Sequence, residues 1–148
     1  MMQLVVDANI LVSELLRQRG KELIQNPDLI LYVTESVLSE TSHELRKRIN
    51  AIINKNGASE ELGEKLLQAA QNLINTKINI IEESVYIYRE TEARNRIPRD
   101  PKDWSTVALA LVMNVPIWTQ DCDFLGCGCP TWTTETLLTQ LRTQVINA

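Results

Sequence analysis

Short apolar runs alternate along this chain with longer stretches whose apolar residues recur at helical spacing. Residues 3–7 form the first run, ending in the acid Asp7, and residues 8–16 carry the helical spacing directly after it. The pattern predicts a strand and then a helix. A further short helix is expected at 21–25, closed by the turn signal Asn26-Pro27-Asp28. Residues 29–33 read as a second buried strand, and Thr34 is placed to cap the helix after it.

That helix is expected over 35–53, with Val37, Leu38, Leu45, Ile49, Ile52 and Ile53 as its apolar stripe and Asn56-Gly57 as its end. Ser59 can cap another helix, whose first turn carries Glu60 and Glu61 and whose inward face is expected to be Leu62, Leu66, Leu67, Ala70 and Leu73. Together the two make a helical hairpin over 35–77. Residues 78–81 read as a third strand, 83–96 as a helix, 98–101 as a proline-bounded loop and 102–113 as a helix. A fourth strand is expected at 115–119, a short fifth at 131–132 beyond the glycine-rich stretch 121–130, and a closing helix at 134–144. Strands separated by helices imply an α/β fold, a parallel sheet covered on both faces. Four to five strands and 148 residues suit a single domain over 1–148.

Composition narrows the function classes. Fifteen basic against nineteen acidic side chains give a net charge of -4, which argues against nucleic-acid binding by charge alone. It leaves a nuclease open, because an enzyme that holds divalent cations needs clustered carboxylates. Local basic runs remain, Arg46-Lys47-Arg48 and the stretch through Arg94, Arg96, Arg99 and Lys102. No apolar stretch is long enough to span a membrane, so a cytoplasmic protein without membrane partners is expected. Cys122, Cys127 and Cys129 are odd in number, and the single histidine, His43, falls on another element, so neither a disulfide framework nor a zinc site is expected.

The acids recur where strands end. Asp7 closes the first strand, Asp121 follows the fourth, Asp103 lies in the first turn of the helix after the proline-bounded loop, and Glu40 sits one to two turns into the helix after the second strand. Each has an ordinary explanation as a turn, dipole or surface residue, and Asp7, next to a buried strand end, is the hardest to explain so. Open parallel sheets bind ligands beyond the carboxyl ends of their strands. Carboxylates converging there repel one another unless a cation compensates them, and an oxygen-only ligand set favours magnesium or manganese over zinc. Such ions support phosphodiester hydrolysis without a covalent nucleophile. If Pro101 opens its helix, Asp100 should cap it while Asp103 projects toward the cleft.

At these residues the sequence resembles the PIN-domain family, and more specifically the bacterial VapC-type and related stand-alone PIN proteins, over nearly its whole length. Val5-Val6-Asp7-Ala8-Asn9, Val37-Leu38-Ser39-Glu40, Arg99-Asp100-Pro101-Lys102-Asp103-Trp104 with Ala108-Leu109-Ala110, and residues 117–124 through Thr119, Asp121 and Asp123 are similar to its four motifs, in the family's order. The resemblance implies a three-layer α/β/α sandwich. It also implies an acidic tetrad of Asp7, Glu40, Asp103 and Asp121 that is catalytic and binds Mg²⁺ or Mn²⁺, supported by Asn9, Ser13 and Thr119. It leaves open whether Asp100 and Asp123 join. An endoribonuclease acting on RNA follows from it, the toxin of a toxin-antitoxin pair with a cognate antitoxin protein, working as a homodimer. Substrate or partner contacts are expected at 54–77, where the family varies.

Other readings compete with this one. A nucleotide-binding enzyme would need a glycine-rich phosphate loop, which the sequence lacks. An aspartyl-nucleophile phosphatase would need an acid two residues after Asp7, where Asn9 stands. A catalytically silent interaction module of the same fold remains the main alternative.

Overall fold

The structure, a computed structural model, describes residues 1–147. Its core is a five-stranded, all-parallel sheet in the order β3-β2-β1-β4-β5. The strands are β1 (Met2–Val6), β2 (Leu29–Thr34), β3 (Ile78–Ile81), β4 (Ile117–Trp118) and β5 (Thr131–Trp132). Helices α1 (Ala8–Leu15) and α2 (Gln18–Ile24) join β1 to β2, and α3 (Glu35–Asn56) and α4 (Glu60–Lys77) join β2 to β3. Helices α5 (Glu90–Arg96) and α6 (Trp104–Met113) precede β4, and α7 (Thr134–Asn147) follows β5.

Alternation along the strands divides the core in two. Leu4, Val6, Leu31, Val33, Ile78 and Trp118 face α1, α2, α3, α4 and α7, whereas Val5 and Ile117 face α5 and α6. The result is the expected three-layer α/β/α sandwich. Helix α6 is buried almost all round from Ser105 to Ala110, which explains why its sequence is apolar without a clear stripe.

Local chemistry sets the element ends. Thr34 accepts a hydrogen bond from Val37 N at 3.0 Å and Ser59 from Leu62 N at 3.2 Å, so both expected caps form. Helix α3 runs three residues past the expected end and stops at Gly57, which is left-handed. Helices α3 and α4 form the expected hairpin, but the buried residues of α4 are Gly63, Ala70 and Ile74, and Leu62 is exposed. Of the expected inward face, Ala70 is buried, Leu67 and Leu73 pack against the core and Leu66 is half-buried, while at the start of α4 Gly63, packed on Ile49 and Ile53, makes the contact in place of Leu62.

The stretch read as a helix over 83–96 is broken. Two 3₁₀ turns, Glu83–Val85 and Ile87–Arg89, precede α5, and of the apolar residues there Tyr86 is buried while Val85, Ile87 and Tyr88 are exposed. One buried side chain gives a regular helix too little to pack against. Helix α6 likewise begins at Trp104, later than expected, after a 3₁₀ turn at Pro101–Asp103. Strand β4 is only two residues long.

The three tryptophans all pack within the chain. Trp118 is fully buried, Trp132 lies against the same cluster, and Trp104 stacks obliquely on Tyr86 at 5.9 Å with the Arg94 guanidinium 5.5 Å from its ring. They give no argument for a subunit interface.

Candidate functional site

The chain leaves β1 for β2 and β3 on one side, then returns through β4 to the other side of β1. The topological switch point therefore lies between β1 and β4, the place where open α/β sheets bind ligands. Asp7 ends β1 there and is buried, 4% exposed, at the N-cap position of α1. Thr119 and Asp121 leave β4 beside it. The Asp121 N–H donates to Thr119 Oγ1 at 3.0 Å, and Thr119 Oγ1 donates to Asp7 Oδ2 at 3.0 Å. One hydroxyl thus fixes both acids.

Asp103 comes from the short turn before α6, and Glu40 from the second turn of α3. Helix α6 is tied to the end of β2 by a buried hydrogen bond between Ser105 Oγ and Thr34 Oγ1 at 2.9 Å. Glu40 is exposed, yet its charge reaches both Asp7 and Asp103. Burial pushes the Asp7 carboxyl up to about 6, with the Thr119 and Ala8 hydrogen bonds opposing the shift and the charges of Asp121 and Glu40 adding to it. Burial also pushes Asp103 up to about 7, followed by repulsion from Asp7, Asp100, Glu40 and Asp121. The structure brings the four sequence-predicted acids into one electrostatic neighbourhood.

Asp100 belongs to that neighbourhood. Its side chain makes no capping hydrogen bond, against the expected cap, and its charge acts on Asp103. Asp123 does not contribute a free charge, because its Oδ1 pairs with Arg99 Nε at 3.2 Å while its N–H donates to Asp121 Oδ1 at 2.9 Å. Asn9 and Ser13, expected as supporting donors, make no hydrogen bond to a clustered acid among the described residues. Asn9 is exposed, and Ser13 Oγ accepts from Arg48 Nη1 at 3.2 Å. Both line a cavity of about 190 Å³ that also touches Glu14, Arg17, Gln120 and Thr134.

Glu14 is a buried acid that the sequence analysis does not single out. It is 2% exposed, its Oε1 accepts from Thr134 Oγ1 at 3.4 Å and lies 3.8 Å from Arg19, and its Oε2 has no hydrogen-bond partner. Thr134 Oγ1 in turn accepts from the Trp118 indole at 3.1 Å, so the chain Trp118, Thr134, Glu14, Arg19 links β4, α7, α1 and α2. Its signal in the sequence is a lone acid on the helix face shared with Ile10 and Leu11.

Among the described residues no three histidine, cysteine or acidic side chains are close enough to form a ready metal cage. The donor chemistry nevertheless suits a hard divalent cation. Its ligands would all be oxygens, and the acids around Asp7 and Asp103 add repulsion to the burial that already raises both carboxyls, a charge pattern that a divalent ion would relieve.

The profile of the PIN domain matches residues 5–142. No curated protein matches the sequence. Among solved structures, that of PAE2754 from Pyrobaculum aerophilum is similar, with a TM-score of 0.70, 17% identity and coverage of 96% of this chain and 90% of that one, a likeness of fold. The chain belongs to the PIN-domain family, whose members are generally nucleases that use divalent metal ions.

Proposed function

We propose that the protein is a Mg²⁺- or Mn²⁺-dependent endoribonuclease whose metal ligands are Asp7, Glu40, Asp103 and Asp121. The observation that carries this reading is the convergence of acids from separate elements at the switch point: burial raises Asp103 most, and the charges of Asp7, Asp100, Glu40 and Asp121 all add to that shift. Thr119 holds Asp7 Oδ2 and leaves Oδ1 without that constraint, and the same hydroxyl anchors the Asp121 backbone. Asp121 Oδ1 is held by the Asp123 N–H, which aims the carboxylate. A bound divalent ion supplies activation of water and stabilisation of the leaving oxygen. Exposed Arg17, Arg46 and Arg48 offer the phosphate backbone positive charge. The second basic run is largely neutralised, since Arg94 pairs with Glu90, Arg96 with Glu92 and Arg99 with Asp123.

We further assign the protein to the toxin side of a toxin-antitoxin pair, cytoplasmic and dimeric, on its VapC-like motifs. No helix among the described residues is long and apolar enough to cross a membrane. For the dimer the structure offers Ile80, Val85, Ile87 and Tyr88, exposed on and after the edge strand β3. One observation favours the silent-module alternative: the acids do not form a ready cage. Calorimetric titration of the purified protein with Mn²⁺, paired with cleavage of single-stranded RNA, separates the two. The nuclease reading expects binding and cleavage, both abolished by chelator. Cleavage that persists in excess chelator, or the absence of both, overturns it.

A further inference from the structure

The loop from the Asp121 turn to β5 carries chemistry that the acid cluster does not use. Within Gly126-Cys127-Gly128-Cys129, Cys127 is buried and Cys129 half-buried, so one sulfur is sheltered and its neighbour meets solvent. The Cys127 thiol donates to Cys129 O at 3.9 Å, which draws the two cysteines together across Gly128.

Two residues of chain span at most about 7 Å, and disulfides form across Cα separations of roughly 4.4 to 6.8 Å. A bend at the central residue is therefore needed. Gly128 supplies it with φ +93°, a conformation that L side chains rarely adopt.

Arg96 holds the loop in this shape. Its Nη1 donates to Cys127 O at 2.8 Å, and the guanidinium lies so close over Gly128 that an added Cβ would overlap it. A cation beside two neighbouring thiols favours the state in which they share one proton. Cys127 is accordingly pulled down to about 6, first by its hydrogen bond with Cys129 and further by the Arg96 charge, while Cys129 is pushed up by the same sharing.

We propose that Cys127 and Cys129 form a redox-active dithiol, a modification site that exchanges with small-molecule disulfides. The Cys129 sulfur, the more accessible of the two, attacks one sulfur of the disulfide RSSR once the shared proton has moved to Cys127, and expels RS⁻, giving a mixed disulfide. Cys127 thiolate then attacks Cys129 Sγ and expels the second RS⁻. The sulfur-sulfur bond of RSSR is broken and one between Cys127 and Cys129 is formed. Two electrons pass from the protein to RSSR, and the two thiol protons end on the two RSH released. A ring closed across three residues is strained, and strained disulfides are the readily reduced ones, so the bond is reversible under reducing conditions.

The test uses the intact protein, oxidised and then reduced glutathione, and intact-mass and peptide mapping. Oxidised glutathione should remove two hydrogens, lower the free thiols from three to one, and place the new bond between Cys127 and Cys129. Reduced glutathione should restore all three. Cys122→Ser should behave like the parent, whereas Cys127→Ser should stop at a glutathione adduct on Cys129. Persistence of all three thiols, reaction confined to Cys122, or an adduct on Cys129 that never resolves onto Cys127 in the parent protein would each overturn the proposal. None of these readouts depends on ribonuclease activity.

Discussion

The Thr119 hydroxyl serves two acids at once, and that makes it the most informative position outside the carboxylates themselves. Thr119→Val keeps the shape but removes the donor to Asp7 Oδ2 and the acceptor for Asp121 N. Loss of a buried hydrogen-bonding group costs about 1–3 kcal/mol. We expect a lowered urea midpoint, weaker Mn²⁺ binding and slower RNA cleavage, with Thr119→Ser retaining most of each; a Val variant that binds Mn²⁺ like the parent would contradict the assigned role. Gly20 offers a purely structural counterpart. A Cβ there would overlap the backbone of Glu14 and press on its Oε2, so Gly20→Ala should cost about 1–3 kcal/mol by overpacking, read by denaturant unfolding. At this scale the sequence was legible for Asp7, Glu40, Asp103, Asp121 and Thr119 as neighbours, because motif order and strand ends both mark them. It was not legible for Ser105 or Glu14, whose partners Thr34 and Thr134 are distant in sequence and are met only through tertiary packing.

Among the elements, α3 shows how a cap couples to the site. Thr34 Oγ1 receives the Val37 N–H and also contacts Ser105 Oγ at the start of α6, with both side chains buried. Thr34→Ala therefore loses a cap, about 1 kcal/mol, and leaves Ser105 without that partner. Its melting temperature should fall more than that of Ser59→Ala, which removes an exposed cap with no second partner; equal losses would argue against the coupling. Caps, turns and the 3.6 period made α3, α4 and α7 readable from sequence. The break at 83–89 is hidden in the sequence because Val85 to Tyr88 are all apolar, and nothing in the run shows that only Tyr86 enters the core. The start of α6 was misplaced for a related reason. Pro101 suits a helical first turn, but that turn is 3₁₀, and Asp100 makes no capping hydrogen bond while its charge acts on Asp103.

For the molecule as a whole, clustered acids make stability depend on pH and cation. Asp7 and Asp103 titrate near 6 and 7 in the folded chain, against an ordinary value of 3.8. Between these limits the folded state holds protons that the unfolded chain has lost. The stability they contribute is full below about pH 4 and is lost as pH rises through 6 to 7. The metal-free parent should therefore lose melting temperature relative to Asp103→Asn, which cannot ionise, as pH is raised from 4 to 7.5. Mn²⁺ should restore it at the upper end. An unchanged difference across this range would contradict the electrostatic account. The parallel sheet and its layers were readable from alternating strands and helices, whereas the shared field could be seen only once the switch point had brought β1 and β4 side by side.

The central claim, that these acids form a metal-dependent ribonuclease site, is tested most directly by RNA cleavage rates of the parent and Asp103→Asn at saturating Mn²⁺, with both proteins confirmed folded by melting. The account predicts chelator-sensitive cleavage by the parent and a rate lower by about 100-fold or more for the variant, roughly 3 kcal/mol of transition-state stabilisation. A variant that melts like the parent and cleaves RNA as fast would contradict it.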